Sequence, residues 1–412
     1  MNKKSTNFLT MIVVLAFLLR LIFIFVQIKF HIFDVNFFAS DSSFYDGIAK
    51  NILAGNGFGY PEPTAYVTPL YPLFLSAVYM IFGHNILAVQ LLQALIGSLS
   101  VLCVYFIAKK IFDEKIGSIA AIIMAFYPHQ IFWSGYILTE TLYVFLLLFA
   151  ILFFIRFCER QTIVNALVAG ILLGIAGLTR PIAFCFTAFL IIYIIWLNKN
   201  KVQGLKFSCI FVIGVLLVSS PWIIRNYNTF GEFIPGSTEG WFVFYAGNSP
   251  GATGGLDGYV TGYQDFTPLN FTSTSERNLS ETEMNNEYKL SSLNFIKENP
   301  SSFFKIMPRK FWNMWRPNYA KASIKNHALM SLPYIIMIAL ALCGIYYSYQ
   351  KHKNKLKWIL YFFIAYNILF HLIFIGLIRY RLPVEPVLII FAAYAISFHI
   401  HRSRRIESLL ER

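Results

Sequence analysis

Residues 8–29, FLTMIVVLAFLLRLIFIFVQIK, decide the class of fold. The run meets the ~20 apolar positions needed to cross a bilayer and exceeds the ~7 to 15 of a signal-peptide core, with no small-residue cleavage site behind it. It reads as a retained membrane span. The rest of the chain agrees, because 57% apolar residues, 18% aromatic residues and a mean hydropathy of +0.59 describe a polypeptide whose main solvent is lipid. Further runs of spanning length fall at 85–108, 116–134, 137–157, 163–179, 181–197, 207–224, 328–350, 357–378 and 384–400. The expected fold is therefore an all-α membrane protein of about ten transmembrane helices, with external juxtamembrane helices and a long external loop.

Assigning alternate connections to the cytosol collects the basic clusters Lys3/Lys4, Lys109/Lys110/Lys115, Arg156/Arg160, Lys199/Lys201/Lys206, Lys351/Lys353/Lys355/Lys357 and Arg402/Arg404/Arg405/Arg412 on one side. Basic bias in short loops sets orientation, so both termini are expected in the cytosol of a multi-pass cell (inner) membrane protein. The net charge of +14 is mostly this topological signal plus attraction to membrane lipids. No soluble segment carries a basic groove with interleaved aromatics, which argues against nucleic acid as a partner. Five cysteines, Cys103, Cys158, Cys185, Cys209 and Cys343, lie in spans or at their cytosolic ends and read as packing residues.

By this topology the chain divides into a transmembrane catalytic module, 1–224, an external loop domain, 225–327, and C-terminal helices with a cytosolic tail, 328–412. Within the module the first external loop, 30–84, contains the stretch ASDSSFYDGIAKNILAGNGFGYPEPTAYVTPLYPLFLSAVYMIFG at 39–83. Phe44, Tyr45, Ile48, Ala49, Ile52 and Leu53 recur at helical spacing and predict an amphipathic helix on the bilayer surface, stopped by Gly55. A second helix over 69–82 is too short to cross and is expected at the interface or re-entrant. In the long loop, the glycine-rich part around GNSPGATGG reads as a binding surface or lid. Ser280 followed by Glu283 predicts a capping box opening a helix. SSFFKIMPRKFWNMWRP at 301–317 mixes aromatic and basic residues in the manner of the headgroup zone.

Asp41 is the leading candidate for chemistry, since a carboxylate at the mouth of a span can take a proton from a bound hydroxyl. The competing reading is that Ser40 or Asp41 caps the following helix. Asp34, Asp46 and Glu62 read as solvated, although Glu62, inside the Gly/Pro-rich stretch, competes for a second acidic role. Arg180, Arg225, Arg379 and Arg381 stand at external span ends, where a guanidinium fork suits a phosphate or snorkels to lipid headgroups. Tyr45, Tyr66, Tyr71 and Asn248 are candidate substrate contacts. Arg20 and Glu140, costly in lipid, are expected to face the bundle interior in structural roles. His31, His84 and His129 lack metal-ligand spacing; the sequence demands no cofactor and leaves room for a divalent metal. No cytosolic connection carries a phosphate loop or D-x-D pair, so any donor must be external or membrane-borne.

In order along the chain, SDSSFYDGIAKNILAGNGF, TPLYPLFLSAVYMIFG, YILTETL, GILLGIAGLTRP, PWIIRNYNTFGEFIP with GNSPGATGG, and RYRLPVEP resemble the GT-C superfamily of multispanning glycosyltransferases. The likeness is to its bacterial members similar to protein O-mannosyltransferases and lipid A aminoarabinose transferase. The resemblance implies surface helices over a cavity that holds a polyprenyl-phosphate sugar, with the catalytic acid in the first loop at Asp41. Such proteins commonly place a second acid directly beside the first, where this chain has Ser42. The implied activity is inverting transfer of a sugar from a polyprenyl-phosphate donor to a hydroxyl of a lipid, glycan or protein acceptor on the external face. The alternatives are a transporter or flippase of lipid-linked saccharides and a polysaccharide polymerase.

Overall fold

The computed structural model describes residues 3–30, 39–256, 279–317 and 324–410. His31, Asp34 and Arg412, and the end of the glycine-rich stretch at Gly262, lie outside the described residues. Among the described residues the chain is helical throughout, apart from connections and one isolated β-bridge, Gly59 to Pro63. The helices are α1 Lys3–Phe30, α2 Ala39–Leu53, α3 Leu70–Phe82, α4 Ile86–Ile111, α5 Glu114–Phe126, α6 Pro128–Trp133, α7 Glu140–Glu159, α8 Ile163–Gly177 and α9 Ile182–Leu197. They continue with α10 Lys201–Phe230, α11 Glu239–Gly247, α12 Glu281–Glu298, α13 Pro300–Trp315, α14 Ile324–Lys351, α15 Lys357–Ile373 and α16 Glu385–Leu410, with a 3₁₀ turn at Ile378–Arg381.

Helix α1 shows what solvent the sequence is built for. Leu9, Ile12, Ala16, Arg20, Ile24 and Gln27 recur on one face and are buried against the bundle. Met11, Val14, Leu18, Ile22 and Phe25 cover the opposite face and are exposed. A helix that is apolar outside as well as inside faces hydrocarbon, and its backbone satisfies its own hydrogen bonds there. Among the described residues five helices are long and apolar enough to cross a membrane, including α1, α4, α7 and α10, and five shorter ones are also apolar. One expectation is corrected: 116–134 is two helices, α5 and α6. Pro128 bars αR geometry at the preceding residue, and Tyr127 takes an extended conformation with ψ 114°.

The main core joins α1, α4, α5, α7, α8, α9, α10, α14, α15 and α16. Small residues bring α8 and α10 together, since with no aqueous hydrophobic drive between lipid-bathed helices close backbone approach does the work. A Cβ on Gly170 would lie 2.0 Å from the Phe211 carbonyl oxygen, and one on Gly214 would lie 2.4 Å from that of Leu167. Gly170→Val is therefore expected to force the two helices apart, lowering stability by about 1–3 kcal/mol or more, read as a fall in the thermal unfolding midpoint in detergent.

Arg20 is fully buried in α1, donating to the Ala16 carbonyl at 3.0 Å and lying against Gly97, where a Cβ would come within 2.8 Å of its Nε. Helix α2 forms as expected, but its apolar face packs on protein rather than lying open to lipid. Phe44 and Ile48 close on Tyr66 and Val67, and Ala49 closes on Tyr71 and Leu75. Asp46 fixes this placement by accepting from Tyr79 Oη at 2.7 Å and pairing with Lys50 at 2.6 Å and His84 at 2.7 Å. Helix α3 spans 13 residues, and its last turn leaves Met80, Ile81 and Phe82 exposed, in keeping with an interfacial segment.

Candidate active site

A small hollow, partly open to solvent, lies at the first turn of α2. Its wall draws on six stretches of chain: Asp41 and Tyr45, Val67 and Thr68, Leu138 to Glu140, Thr179 to Pro181, Ser237 with Glu239, and Arg379. Local structure explains how each arrives. Asp41 sits inside the first turn of α2, and its Oδ2 accepts from Arg379 Nη1 at 2.7 Å. Glu140 opens α7, and its Oε1 accepts from Arg180 Nη1 at 3.0 Å. The link between α8 and α9 that carries Arg180 is tied to the first loop, since Leu70 N–H donates to the Leu178 carbonyl at 3.0 Å and Thr68 Oγ1 to that of Thr179 at 2.9 Å. Tyr380 lies between the two cations, its ring centroid 5.3 Å from the Arg180 guanidinium and 5.6 Å from that of Arg379.

Electrostatics sort the three carboxylates of the hollow. Burial works against the Arg379 charge, but Asp41, Tyr380 and Glu140 together outweigh it and raise the group well above its ordinary value. Glu140, with a side chain only 3% exposed, likewise raises Arg180 against the effect of burial. Glu239 has no such partner among the described residues. Burial drives its carboxyl up, Asp41 adds to the rise, and Arg379 and Arg180 offset it only in part, leaving the group at about 7. Two buried atoms here also lack a hydrogen-bond partner, Arg379 Nε and Glu140 Oε2. A guanidinium nitrogen buried without a partner is costly, and an anion bound beside it would offset that cost.

Of the residues singled out in the sequence, the structure brings Asp41, Tyr45, Arg180 and Arg379 together. Tyr66 adjoins the site through its carbonyl, which accepts from the Glu239 N–H at 3.3 Å. Tyr71 lies deeper, its hydroxyl on Gln93 Oε1 at 2.8 Å and its ring against Tyr45. Glu62 is exposed and does not line the hollow. Arg225 serves structure, donating to the Thr64 and Phe58 carbonyls at 2.7 Å each and stacking near Phe58, Trp222 and Phe230. Arg381 is 0% exposed, bonded to Glu385 at 3.1 Å and the Arg316 carbonyl at 2.6 Å, with its guanidinium 3.6 Å from the Tyr334 ring centroid. A 3₁₀ turn has about three residues per turn, so anchoring Arg381 on one side presents Arg379 on another.

Asn248 belongs to a second, more open hollow bordered by Phe295, Phe303 and Lys305, and its Oδ1 accepts from Lys310 Nζ at 2.7 Å. Burial pulls that lysine down to about 7. Glu239 was not among the sequence candidates, since an acid in the first turn of α11 looks like an ordinary partner of the helix dipole. Glu140, expected to be structural, lines the hollow as well as pairing. Among the described residues no three metal-ligating side chains gather, and Asp41 and Glu140 are each committed to an arginine.

The family model described as dolichyl-phosphate-mannose-protein mannosyltransferase matches residues 66–224, a stretch that contains Glu140 and Arg180 but not Asp41, Glu239 or Arg379. By sequence, the chain has no significant match among curated proteins. By fold, it is similar to the oligosaccharyltransferase AglB of Archaeoglobus fulgidus in complex with an inhibitory peptide and a dolichol-phosphate, at 14% identity and a TM-score of 0.55, covering 99% of this chain and 52% of that one. An oligosaccharyltransferase of Archaeoglobus fulgidus in complex with Zn and sulfate aligns at 14% identity and a TM-score of 0.56, over 95% of this chain and 49% of that one. ArnT of Cupriavidus metallidurans, bound to undecaprenyl phosphate, aligns at 14% identity and a TM-score of 0.52, over 87% of this chain and 55% of that one. The chain thus spans about half the length of these structures. In fold the chain is similar to these multi-pass membrane proteins.

Proposed function

We propose that this chain is an integral membrane glycosyltransferase that moves a sugar from a polyprenyl-phosphate donor to an acceptor hydroxyl, with inversion, on the external face of the membrane. The observation that carries the reading is the Asp41–Arg379 pair in a hollow shared with Arg180, at the point where the chain leaves the first span. Asp41 takes the proton of the acceptor hydroxyl as that oxygen attacks the anomeric carbon. The bond from this carbon to the phosphate oxygen breaks, and its electron pair leaves on the polyprenyl phosphate. Arg379 serves both ends of the step. Its Nη1 holds the base, while its unpartnered Nε is free to meet the phosphate, where preorganised donors stabilise the charge that grows.

The basic clusters of the short alternate connections, such as Lys109/Lys110/Lys115 and Lys199/Lys201/Lys206, support cytosolic termini and an external site. Purified protein given a polyprenyl-phosphate sugar and candidate acceptors is expected to form a covalent glycosylated product. Movement of intact lipid-linked saccharide across vesicles with no covalent product would instead favour a flippase, and a ladder of chain lengths a polymerase.

Glu239 adds a pH dependence whose sign is fixed by its surroundings, which are Asp41, Glu140, Arg180, Arg379 and the phenols of Tyr45, Tyr66 and Tyr380. Below pH 7 the carboxyl holds its proton and the hollow carries two cations against two anions. As pH rises through about 7 it ionises and repels the donor phosphate. Donor KM is therefore expected to rise on the order of tenfold across this range, about 1.4 kcal/mol, and Glu239→Gln to abolish the rise. An unchanged profile in that variant would assign the limb to another group.

A further inference from the structure

We propose that Glu281 is a positioning residue, a latch whose carboxylate holds the segments 64–68 and 237–239 together so that they form one wall of the hollow. Its Oε1 accepts from the Ala65 N–H at 3.0 Å and from Thr238 Oγ1 at 2.7 Å, and its Oε2 accepts from Thr64 Oγ1 at 2.6 Å. An acid in the first turn of a helix ordinarily serves that helix. Here the task is taken by Ser280 and Glu283, which form a complete capping box at the start of α12. Glu281 is thereby released to bind elsewhere, and its partners come from two distant parts of the chain.

The latch continues into the backbone. Thr238 N–H donates to the Ala65 carbonyl at 3.0 Å and Glu239 N–H to that of Tyr66 at 3.3 Å, so the two segments run as a short ladder. On the far side Arg225 holds the Thr64 carbonyl at 2.7 Å. Val67 and Thr68, which follow Tyr66, and Glu239, which donates the second of these bonds, line the hollow, whereas Glu281 does not. It acts through what it holds. Hydrogen bonds to an ionised carboxylate are roughly twice as strong as neutral ones, so one side chain suffices to set the spacing of the wall.

The catalytic consequence rests on the transferase reading above, and the latch itself does not. The test uses the full chain in lipid nanodiscs with hydrogen exchange, donor binding across pH, and turnover. Glu281→Ala is expected to lose exchange protection in 64–68 and 237–241, to keep it through 282–298 because the capping box remains, and to lower turnover about 10- to 100-fold. With the wall loosened and Glu239 open to water, the donor-affinity limb near pH 7 is expected to move toward the ordinary carboxylate range. Glu281→Gln, which keeps an acceptor oxygen, should recover most of both signatures. Should the alanine variant fail to fold, Thr238→Val removes one donor alone and is expected to show the same changes in smaller degree. Unchanged protection and an unmoved limb in Thr238→Val, or in a folded Glu281→Ala, overturn the latch. Lost protection with parental turnover overturns its catalytic role and leaves the transferase reading standing, while absence of turnover in the parent leaves the exchange result to decide the latch.

Discussion

Asp41→Asn is expected to lower sugar transfer by about 10²- to 10⁴-fold, the range contributed by a positioned general base. Asparagine matches aspartate in shape and keeps an oxygen that can accept from Arg379 Nη1, now at 2.7 Å from the carboxylate, so the hollow should keep its form. What the substitution removes is basicity. It also frees the Arg379 charge from its counter-ion, so the donor phosphate should bind at least as tightly as before. The expected pattern is a collapsed kcat, an unchanged or lower donor KM, and a thermal unfolding midpoint close to that of the parent. Glu62→Gln supplies the control, since that carboxylate is exposed and outside the hollow, and its turnover should match the parent. Parental kcat in Asp41→Asn would mean that the hydroxyl proton goes to another acceptor.

Sequence made legible whatever is decided locally. Apolar runs place the spanning helices, Ser280 and Glu283 form the capping box their spacing predicts, and Gly83 ends α3 with a φ of 69°, where only glycine sits without strain. The break between α5 and α6 was also written there, in Pro128. A count of apolar residues outweighed it, because hydropathy is blind to φ and ψ. What local pattern cannot carry is partnership across the chain. Arg379 and Arg381 stand two residues apart in one short motif and read identically. One meets Asp41 in the hollow, and the other is sealed against Tyr334 and Glu385. Arg225 looks like a third phosphate ligand until its hydrogens are found on the Thr64 and Phe58 carbonyls. Glu239 and Glu62 are equally plain acids in the sequence. The fold of segments 64–68 and 237–239 against each other, a contact of high sequence separation, sets one half-buried in the hollow and leaves the other in solvent.

Arg379→Ala is expected to lower transfer by about 10²- to 10³-fold, the scale of losing one preorganised donor to a developing oxyanion. Two defects combine in it. The phosphate loses a cation, and Asp41 loses the bond that aims it, so kcat should fall and donor KM should rise together, unlike the pattern in Asp41→Asn. Arg379→Lys separates charge from geometry. An ammonium restores the positive charge but is a compact point donor, and it cannot hold a carboxylate with one nitrogen of a rigid planar fork while offering a second nitrogen to phosphate. Lysine should therefore recover donor KM and leave kcat depressed by at least tenfold. If Arg379→Lys turned over at the parental rate, charge alone would explain the site, and the two-ended role of this guanidinium, together with its unpartnered Nε, would have no part in the chemistry.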